Sequence, residues 1–316
     1  MYKFFTRSQI SSIRWDSFIA SSPQQVVYAY SWYLDVVAPH WQALILEENG
    51  VWKAVMPLPI QSKWGLSVVQ QPFFCQFLGI FTTPLVEIAS VQSAFLEDLS
   101  THFRYVSSYS GRFWGGQFPA QFKLQHCYTH LFPLDAPYPT LRQCYSPDRQ
   151  MNLRRAQKFP WQWQESNDIG PLIDLFRQNH AAQIEGGVSE SAYDLLRKVH
   201  EVLQEKQAVR LRYAVYNGRI EAGAMFAVYQ KRIIYLFNAA SAVGRKGNAR
   251  TLLIDQIIEE YAETDFVFDF ESPEVASIAG FYQSFGAKEE VYSMLHYNGL
   301  PFPLKQLQAR RRKKGG

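Results

Sequence analysis

The residues best suited to bind an anion lie between a run of β-formers and an amphipathic segment. The run Ile234–Ala240 is rich in β-branched and aromatic side chains, which predicts a strand. From Thr251, leucine, isoleucine and tyrosine recur every four residues and predict a helix. Between them lies a loop with two glycines and three cations: Gly244, Arg245, Lys246, Gly247 and Arg250. Because the first N–H groups of a helix attract anions, the segment predicts an anion site. The alternative is an ordinary connection whose glycines only make the turn.

Two acidic residues follow at the end of the next predicted strand. Residues Thr264–Phe270 alternate in polarity and predict that strand, which carries Asp269. Glu271–Glu274 then predicts the cap of a helix that ends before Gly286, and Lys288–Tyr297 predicts a further strand. Asp269 and Glu271 are therefore candidate bases at a strand end, the alternative being solvated strand-end and cap carboxylates.

The two halves of the chain share a hairpin pattern. Asn49-Gly50 and Asn217-Gly218 each separate two strand-like runs, and this dipeptide accepts the positive φ angles of a type I′ turn. A hairpin, helix and strand follow one another in both halves, which predicts a duplicated α/β domain. We expect domains at residues 1–145 and 146–300, followed by a basic tail at 301–316. Proline after Ser22 also predicts a helix that reaches Leu34.

Composition limits the classes of partner. The 316 residues are 47% hydrophobic, 16% aromatic and 19% charged, typical of a globular chain of two domains. The formal charge is +4, but six positive charges lie in residues 305–316, which leaves −2 for the rest. The body of the protein therefore lacks the basic surface typical of DNA-binding proteins.

Cysteine and histidine spacing argues against a metal site. Cys75, Cys127 and Cys144 have no metal-binding spacing, and the histidines form no HxxxH pattern. An odd number of cysteines suggests reduced thiols, so a cytoplasmic location is expected. The apolar runs are shorter than the roughly 20 residues of a transmembrane helix.

Three segments in order make a more specific pattern: Asn238–Ala249 before a helix, then Phe268–Ser272, then Phe281–Ala287. Together they resemble the GNAT superfamily of N-acetyltransferases, especially its double-domain branch with the Fem-type aminoacyl transferases of peptidoglycan synthesis. The resemblance implies tandem acyl-CoA N-acyltransferase-like domains, each a mixed, mostly antiparallel sheet flanked by helices.

The resemblance also implies a cofactor site. In the superfamily a loop of the form Gln or Arg, x-x-Gly-x, then Gly or Ala, wraps the pyrophosphate of coenzyme A. Here the last glycine and alanine match, but glycine stands at the first position. The implied cofactor-binding residues are Asn238, Gly244, Arg245, Lys246, Gly247, Asn248 and Ala249.

The implied chemistry requires an unprotonated amine. For an amine with a pKa of about 10.4, deprotonation at pH 7 costs about 4–5 kcal/mol, so a base or a desolvating pocket is needed. Asp269 and Glu271 are the candidate bases. Tyr282 matches the tyrosine that protonates the departing thiolate in many family members; core packing is its alternative role.

Acceptor residues follow from the same resemblance. The helix with Arg154, Arg155 and Lys158 is similar to a basic helix of the Fem-type branch and is expected to hold a phosphorylated substrate. His180 and Glu185 lie in a segment that is expected to border the acceptor groove. An exposed basic helix face and ordinary polar loop residues are the alternatives.

Three functions remain open from sequence. The first is transfer of an acyl group from acyl-CoA, in particular acetyl-CoA, to an amine of a small molecule or of a nucleotide-linked or other cell-envelope precursor. The second is a Fem-type transferase with aminoacyl-tRNA as donor, which the acidic body disfavours. The third is a GNAT-like binding protein without activity, which the altered loop favours.

Overall fold

The computed structural model describes residues 2–63, 65–184, 186–271 and 275–308. The chain forms two compact units, residues 1–127 together with 291–316, and residues 128–290. Within the described ranges, no helix is long and apolar enough to cross a membrane. The same ranges contain no group of three or more His, Cys, Asp or Glu residues placed to hold a metal ion.

Before residue 112, the described residues of the first unit form three α-helices and seven strands. In chain order its elements are β1 (Tyr2–Thr6), α1 (Ser12–Ser21), α2 (Ser31–Val37), β2 (Gln42–Glu48), β3 (Val51–Leu58), β4 (Ile60–Lys63), β5 (Leu66–Gln70), β6 (Phe81–Thr82), α3 (Ile88–His102) and β7 (Tyr105–Gly111). Strand β8 (Phe122–Pro133) then leads into the second unit.

Strands β1, β2, β3 and β6 lie side by side in one antiparallel sheet. Asn49 and Gly50 connect β2 to β3 with φ angles of 50° and 80°, so the predicted hairpin is confirmed. Strands β4 and β5 pair antiparallel, and β5 pairs parallel to β7. Helices flank these strands, as predicted for the fold class.

The helix predicted from Pro23 to Leu34 is wrong. A short 3-10 turn spans Val27–Ala29, and the α-helix starts only at Ser31. The carboxylate of Asp16 accepts hydrogen bonds from the backbone N–H and the hydroxyl of Ser31, 2.7 and 3.0 Å long. An acceptor on another helix therefore sets the start of α2, which local sequence does not reveal.

The second unit alternates strands and helices. Its elements are α4 (Tyr138–Gln143), α5 (Pro147–Lys158), β9 (Gln162–Glu165), α6 (Gly170–Asn179), α7 (Glu190–Glu205), β10 (Val209–Tyr216), β11 (Arg219–Tyr229), β12 (Arg232–Ala240), α8 (Ala242–Lys246), α9 (Ala249–Glu260), β13 (Val267–Asp269) and α10 (Ala276–Gln283), followed by β14 (Lys288–Asn298), which runs back into the first unit.

The sheet of the second unit has the strand order β9-β10-β11-β12-β13-β8. Neighbouring strands pair antiparallel except β12 and β13, which pair parallel through the connection that contains α9. Asn217 and Gly218 make the second predicted hairpin, with φ angles of 50° and 72°. The predicted mixed, mostly antiparallel sheet flanked by helices is confirmed.

The compact units divide the chain at other positions than the expected domains 1–145 and 146–300. Residues 128–145 belong to the second unit because β8 pairs with β13 and Tyr138 and Tyr145 contact α9. Residues from 291 on belong to the first unit because β14 pairs with β7. Half of the expected basic tail, residues 309–316, lies outside the described residues.

One carboxylate is buried in the core of the second unit. Asp255 of α9 accepts hydrogen bonds from the hydroxyls of Tyr138 and Tyr145, about 3 Å long. Burial raises the pKa of Asp255 to about 6, although the two tyrosine hydrogen bonds act in the opposite direction. The protonated form is therefore favoured in the folded state relative to the unfolded chain.

We expect Asp255→Asn to change how stability depends on pH. The contribution of Asp255 is full below its ordinary pKa of 3.8 and is lost as the pH rises through about 6. The unfolding free energy of the wild type, relative to the variant, should therefore fall by about 2 kcal/mol between about pH 4.5 and about pH 7.5. Urea unfolding at both pH values measures it. If wild type and variant differ in unfolding free energy by the same amount at both pH values, the pKa of Asp255 is not raised.

Candidate active site

Beyond its short pairing with β13, strand β12 has a free edge in the described part of the chain, and the region beside this edge is here called the cleft. The two strands pair only between Arg232–Ile234 and Val267–Asp269, whereas β12 continues to Ala240. In the described part of the chain, no strand pairs with this edge of β12 beyond Ile234. The register with β11 also shifts here, because Phe226 lies opposite Tyr235 and Met225 opposite Phe237. A bulge at Leu236 therefore bends β12 at the start of the opening.

The segment predicted as an anion-binding loop is mostly the short helix α8. The N–H of Gly244 donates to Oγ of Ser241, and the N–H of Gly247 donates to the carbonyl of Val243, at 3.0 and 2.8 Å. The N–H of Asn248 donates to the carbonyl of Arg245 at 3.1 Å. These amides are used within the fold, so they do not form an open cradle. The N–H groups in the first turn of α9 keep no intrahelical partner, and the Asn248 side chain does not cap them.

Both glycines of this segment are explained by close packing. A Cβ atom on Gly244 would overlap the carbonyl oxygen of Glu221, and one on Gly247 would overlap the indole ring of Trp161. Trp161 also donates its Nε1–H to the carbonyl of Gly247 at 3.1 Å. A bulky residue at position 247 therefore displaces Trp161 before it meets a ligand. Loss of ligand binding in such a variant would not by itself locate a phosphate.

Arg250, in the first turn of α9, contacts residues of the cleft. Its Nη1 donates to Oδ1 of Asn238 on β12 at 3.1 Å, and its Cζ lies 5.5 Å from the ring centroid of Phe281. No ion pair among the described residues involves Arg250, and the first turn of α9 contains no acidic residue. A cation at a helix N-terminus opposes the helix dipole. This position favours an anionic ligand over a structural role.

Tyr282 of α10 lies beside the cleft, because its ring meets that of Tyr235 on β12 with centroids 6.2 Å apart. Its side chain is 6% exposed and stacks on Phe270 with a centroid distance of 4.7 Å. Burial raises the pKa of its phenol, the charge of Arg250 lowers it, and Glu271 raises it. Tyr282 is therefore a neutral phenol near pH 7 and can donate a proton. No hydrogen bond among the described residues involves its hydroxyl.

The two candidate bases have different surroundings. Asp269 is 1% exposed and accepts hydrogen bonds from Thr129 at 2.7 Å, from the N–H of Glu271 at 3.0 Å, and from Arg232 at 2.6 Å. These contacts favour a structural role for Asp269 over the predicted role as a base. Glu271 is partly exposed, has a positive φ of 47°, and acts electrostatically on Tyr282. Glu271 is thus the better placed of the two to take up a proton.

His180, predicted to border the acceptor groove, lies at the far end of β12. Its Nε2 is 3.2 Å from the backbone nitrogen and 3.1 Å from the carbonyl oxygen of Ala240. Burial lowers the pKa of His180, and Arg250 lowers it further, so the ring is neutral near pH 7. A neutral Nε2 that accepts the Ala240 N–H fixes the end of the strand. Glu185, its predicted neighbour, lies outside the described residues.

The remaining predicted cations lie on exposed surfaces. Arg154, Arg155 and Lys158 are exposed on α5, and Arg245 and Lys246 are exposed on α8. Nη1 of Arg245 donates to the carbonyl of Ala240 at 2.8 Å. No contact among the described residues ties the three α5 cations to the cleft, so their role with a phosphorylated substrate stays a prediction.

Arg149, which sequence reasoning missed, lies on the buried face of α5. It is 7% exposed and donates from Nε to Ser284 at 2.9 Å and from Nη1 to Thr251 at 2.5 Å. Its guanidinium stacks on Phe281, which Arg250 also approaches. Burial, then the charge of Arg250, lowers the pKa of Arg149 to about 10. Its spacing from Leu153 and Ala156, which are also buried, was the available signal.

Comparisons with known proteins agree with this architecture. Residues 149–273 match the family model of the acetyltransferase (GNAT) domain. No curated protein matches the chain. Among solved structures, FemX shares 12% identity, with 94% of this chain and 98% of that chain covered and a TM-score of 0.69.

Two further structures have the same fold over nearly their whole length. A tandem GNAT protein from the clavulanic acid biosynthesis pathway shares 10% identity, with 95% of this chain and 99% of that chain covered and a TM-score of 0.54. L-PGS from Bacillus licheniformis shares 11% identity, with 95% and 96% covered and a TM-score of 0.52. These values and the family match confirm the predicted resemblance: residues 149–273 match the GNAT domain, and the chain has the fold of the tandem GNAT proteins.

Proposed function

We propose that the protein transfers an acyl group from acyl-CoA, with acetyl-CoA as the first candidate, to an amine of a small molecule or of a cell-envelope precursor. The proposal rests on the cleft at the edge of β12. The neutral, buried phenol of Tyr282 lies beside it, and so does Arg250, which forms no ion pair with the described residues. A thioester donor is available in the cytoplasm, where the odd number of cysteines leads us to expect this protein.

The donor is expected to be held at two places. Its phosphate groups fit Arg250 and the first N–H groups of α9, where the helix dipole and the side-chain charge have the same sign. Its amide-containing arm fits the edge of β12 between Ile234 and Ala239, as an added strand does, because no described strand pairs there and His180 and Arg245 hydrogen-bond only to Ala240 of this edge. Asn238 connects the two parts of the donor site, because it lies on β12 and its side chain accepts a hydrogen bond from Arg250 of α9.

The reaction forms a carbon–nitrogen bond and breaks a carbon–sulfur bond. The amine loses a proton, for which the partly exposed carboxylate of Glu271 is the proposed acceptor. The leaving thiolate gains a proton, for which Tyr282 is the proposed donor. Since Glu271 acts electrostatically on Tyr282, the two proton transfers are coupled: a protonated Glu271 makes a phenolate at Tyr282 easier to form.

Aminoacyl-tRNA is a second candidate donor, favoured by the closed structure of α8. The amides of Gly244, Gly247 and Asn248 are used within the fold, which leaves fewer backbone donors for a pyrophosphate than an open loop offers. The exposed cations Arg154, Arg155 and Lys158 of α5 are suited to contact a nucleic-acid backbone. The acceptor would then be an amine of a peptidoglycan precursor.

The donor is tested by following two reactions side by side. The first is thiol release from acetyl-CoA with a panel of primary amines, and the second is transfer of a labelled amino acid from aminoacyl-tRNA to an amine-bearing precursor. We expect thiol release that requires both protein and amine. Amino-acid transfer without thiol release would identify aminoacyl-tRNA as the donor. If neither reaction occurs, the result contradicts an enzyme and supports a binding protein.

A further inference from the structure

Tyr235 of β12 carries a buried hydroxyl without a partner. Its side chain is 3% exposed, and no hydrogen bond within the described residues satisfies its Oη. Two other buried tyrosines of this unit differ: Tyr213 donates to the carbonyl of Asp168 at 2.7 Å, and Tyr145 donates to Asp255 at 3.0 Å. Because buried hydroxyls nearly always have a partner, the exception at Tyr235 needs an explanation.

The position of Tyr235 supplies that explanation. It is the first residue of β12 beyond Ile234, the last residue paired with β13, so it stands where the strands part. Its ring meets Tyr282 edge to face, with centroids 6.2 Å apart, and stacks on Phe226 at 5.4 Å. Arg250 acts electrostatically on both phenols. The unused donor thus lies with the proposed acid and the cation at one end of the cleft.

We propose that the hydroxyl of Tyr235 donates a hydrogen bond to the carbonyl oxygen of the acyl group that is transferred. The inference rests on the proposed function. A neutral phenol with no acceptor in the fold is suited to an acceptor oxygen that arrives with the donor substrate. Packing against Phe226 holds the ring in place before the substrate binds.

The role of this hydrogen bond follows from the movement of electrons. When the amine nitrogen attacks the acyl carbon, the carbonyl π electrons move onto the oxygen, which becomes an oxyanion. Tyr235 donates to that oxygen without losing its proton, and the positive charge of Arg250 lowers the energy of the same state. The electrons then return to reform the carbonyl, the carbon–sulfur bond breaks, and the thiolate takes the proton of Tyr282.

Stability tests the unpartnered hydroxyl independently of any substrate. We expect Tyr235→Phe to melt at the wild-type temperature or above it, because the substitution removes a donor that the fold does not satisfy. Tyr213→Phe is the matched control on β10, two strands from β12 in the same sheet, and it should melt lower because it loses a hydrogen bond. A melting temperature of Tyr235→Phe as low as that of the control would overturn the inference.

Binding and turnover test the carbonyl contact. Calorimetry without amine should show that the wild type binds acetyl-CoA about 3–10-fold more tightly than coenzyme A, and Tyr235→Phe should bind both equally. Turnover of the variant should fall about 10²–10³-fold with little change in KM. An active wild type beside an equally active variant would overturn the role of Tyr235. A wild type that binds neither compound would instead overturn the proposed donor.

Discussion

Replacing Tyr282 by Phe is expected to lower the rate of acyl transfer by about 10²–10⁴-fold while donor affinity and melting temperature stay close to those of the wild type. The hydroxyl has no partner in the described part of the fold, so its removal leaves the packing against Phe270 intact. Its proton is needed only when the thiolate leaves, so the loss should appear in kcat and not in KM. Thiol-release kinetics beside a thermal melt measures both effects.

Tyr145→Phe is the control for Tyr282→Phe. Tyr145 is also buried in the core of the second unit, but its hydroxyl donates to Asp255, which has no part in the proposed chemistry. This control should lose about 0.5–1.5 kcal/mol of unfolding free energy and keep its kcat. Undiminished thiol release by Tyr282→Phe would remove this phenol from the mechanism and leave it a packing residue.

The second large effect is expected for Arg250→Gln. This change should weaken donor binding by about 10–100-fold, because a charge-assisted contact to a phosphate contributes about 1.5–3 kcal/mol. The stability of the free protein should stay equal or rise, since a cation at a helix N-terminus without an acidic neighbour is unfavourable. Calorimetric titration at low and high salt measures the affinity, and the wild type should show the steeper salt dependence.

Arg197→Gln is the matched control for Arg250→Gln. Arg197 lies on the surface of α7 and pairs with Asp194 of the same helix, so its loss should leave donor binding unchanged. Arg250→Lys keeps the charge but not the fork of donors, and it should fall between the wild type and the glutamine variant. If wild type and Arg250→Gln bind the donor with equal affinity, the phosphates of the donor do not bind at Arg250.

Much of the fold was predictable because the relevant signals are local. The Asn-Gly pairs require no distant residue to adopt positive φ, and both hairpins form where they were expected. The apolar stripe of α9 and the alternation before Asp269 follow from the periods of a helix and a strand. The start of α2 was not predictable, since a carboxylate on α1 determines it.

The position of a candidate residue was predictable where it follows from the strand or helix that carries the residue. Asn238 and Tyr282 come to the cleft because they lie on β12 and α10, whose positions follow from the order of elements. On α5 the same reasoning selected Arg154 and Arg155, which are exposed, and missed Arg149, which is buried.

By itself, the sequence determined the hairpins, the strand–helix–strand order and the residue types available at the cleft. Only the tertiary structure decided what each residue does there. Gly247 is a glycine because Trp161 packs on it, Asp269 is used by three partners, and Tyr235 is left without one. The physical reason is that burial and hydrogen-bond partners arise between segments far apart in the chain, as with Arg149 and Thr251, 102 residues apart. Those contacts set the pKa and the free donors on which the proposed chemistry depends.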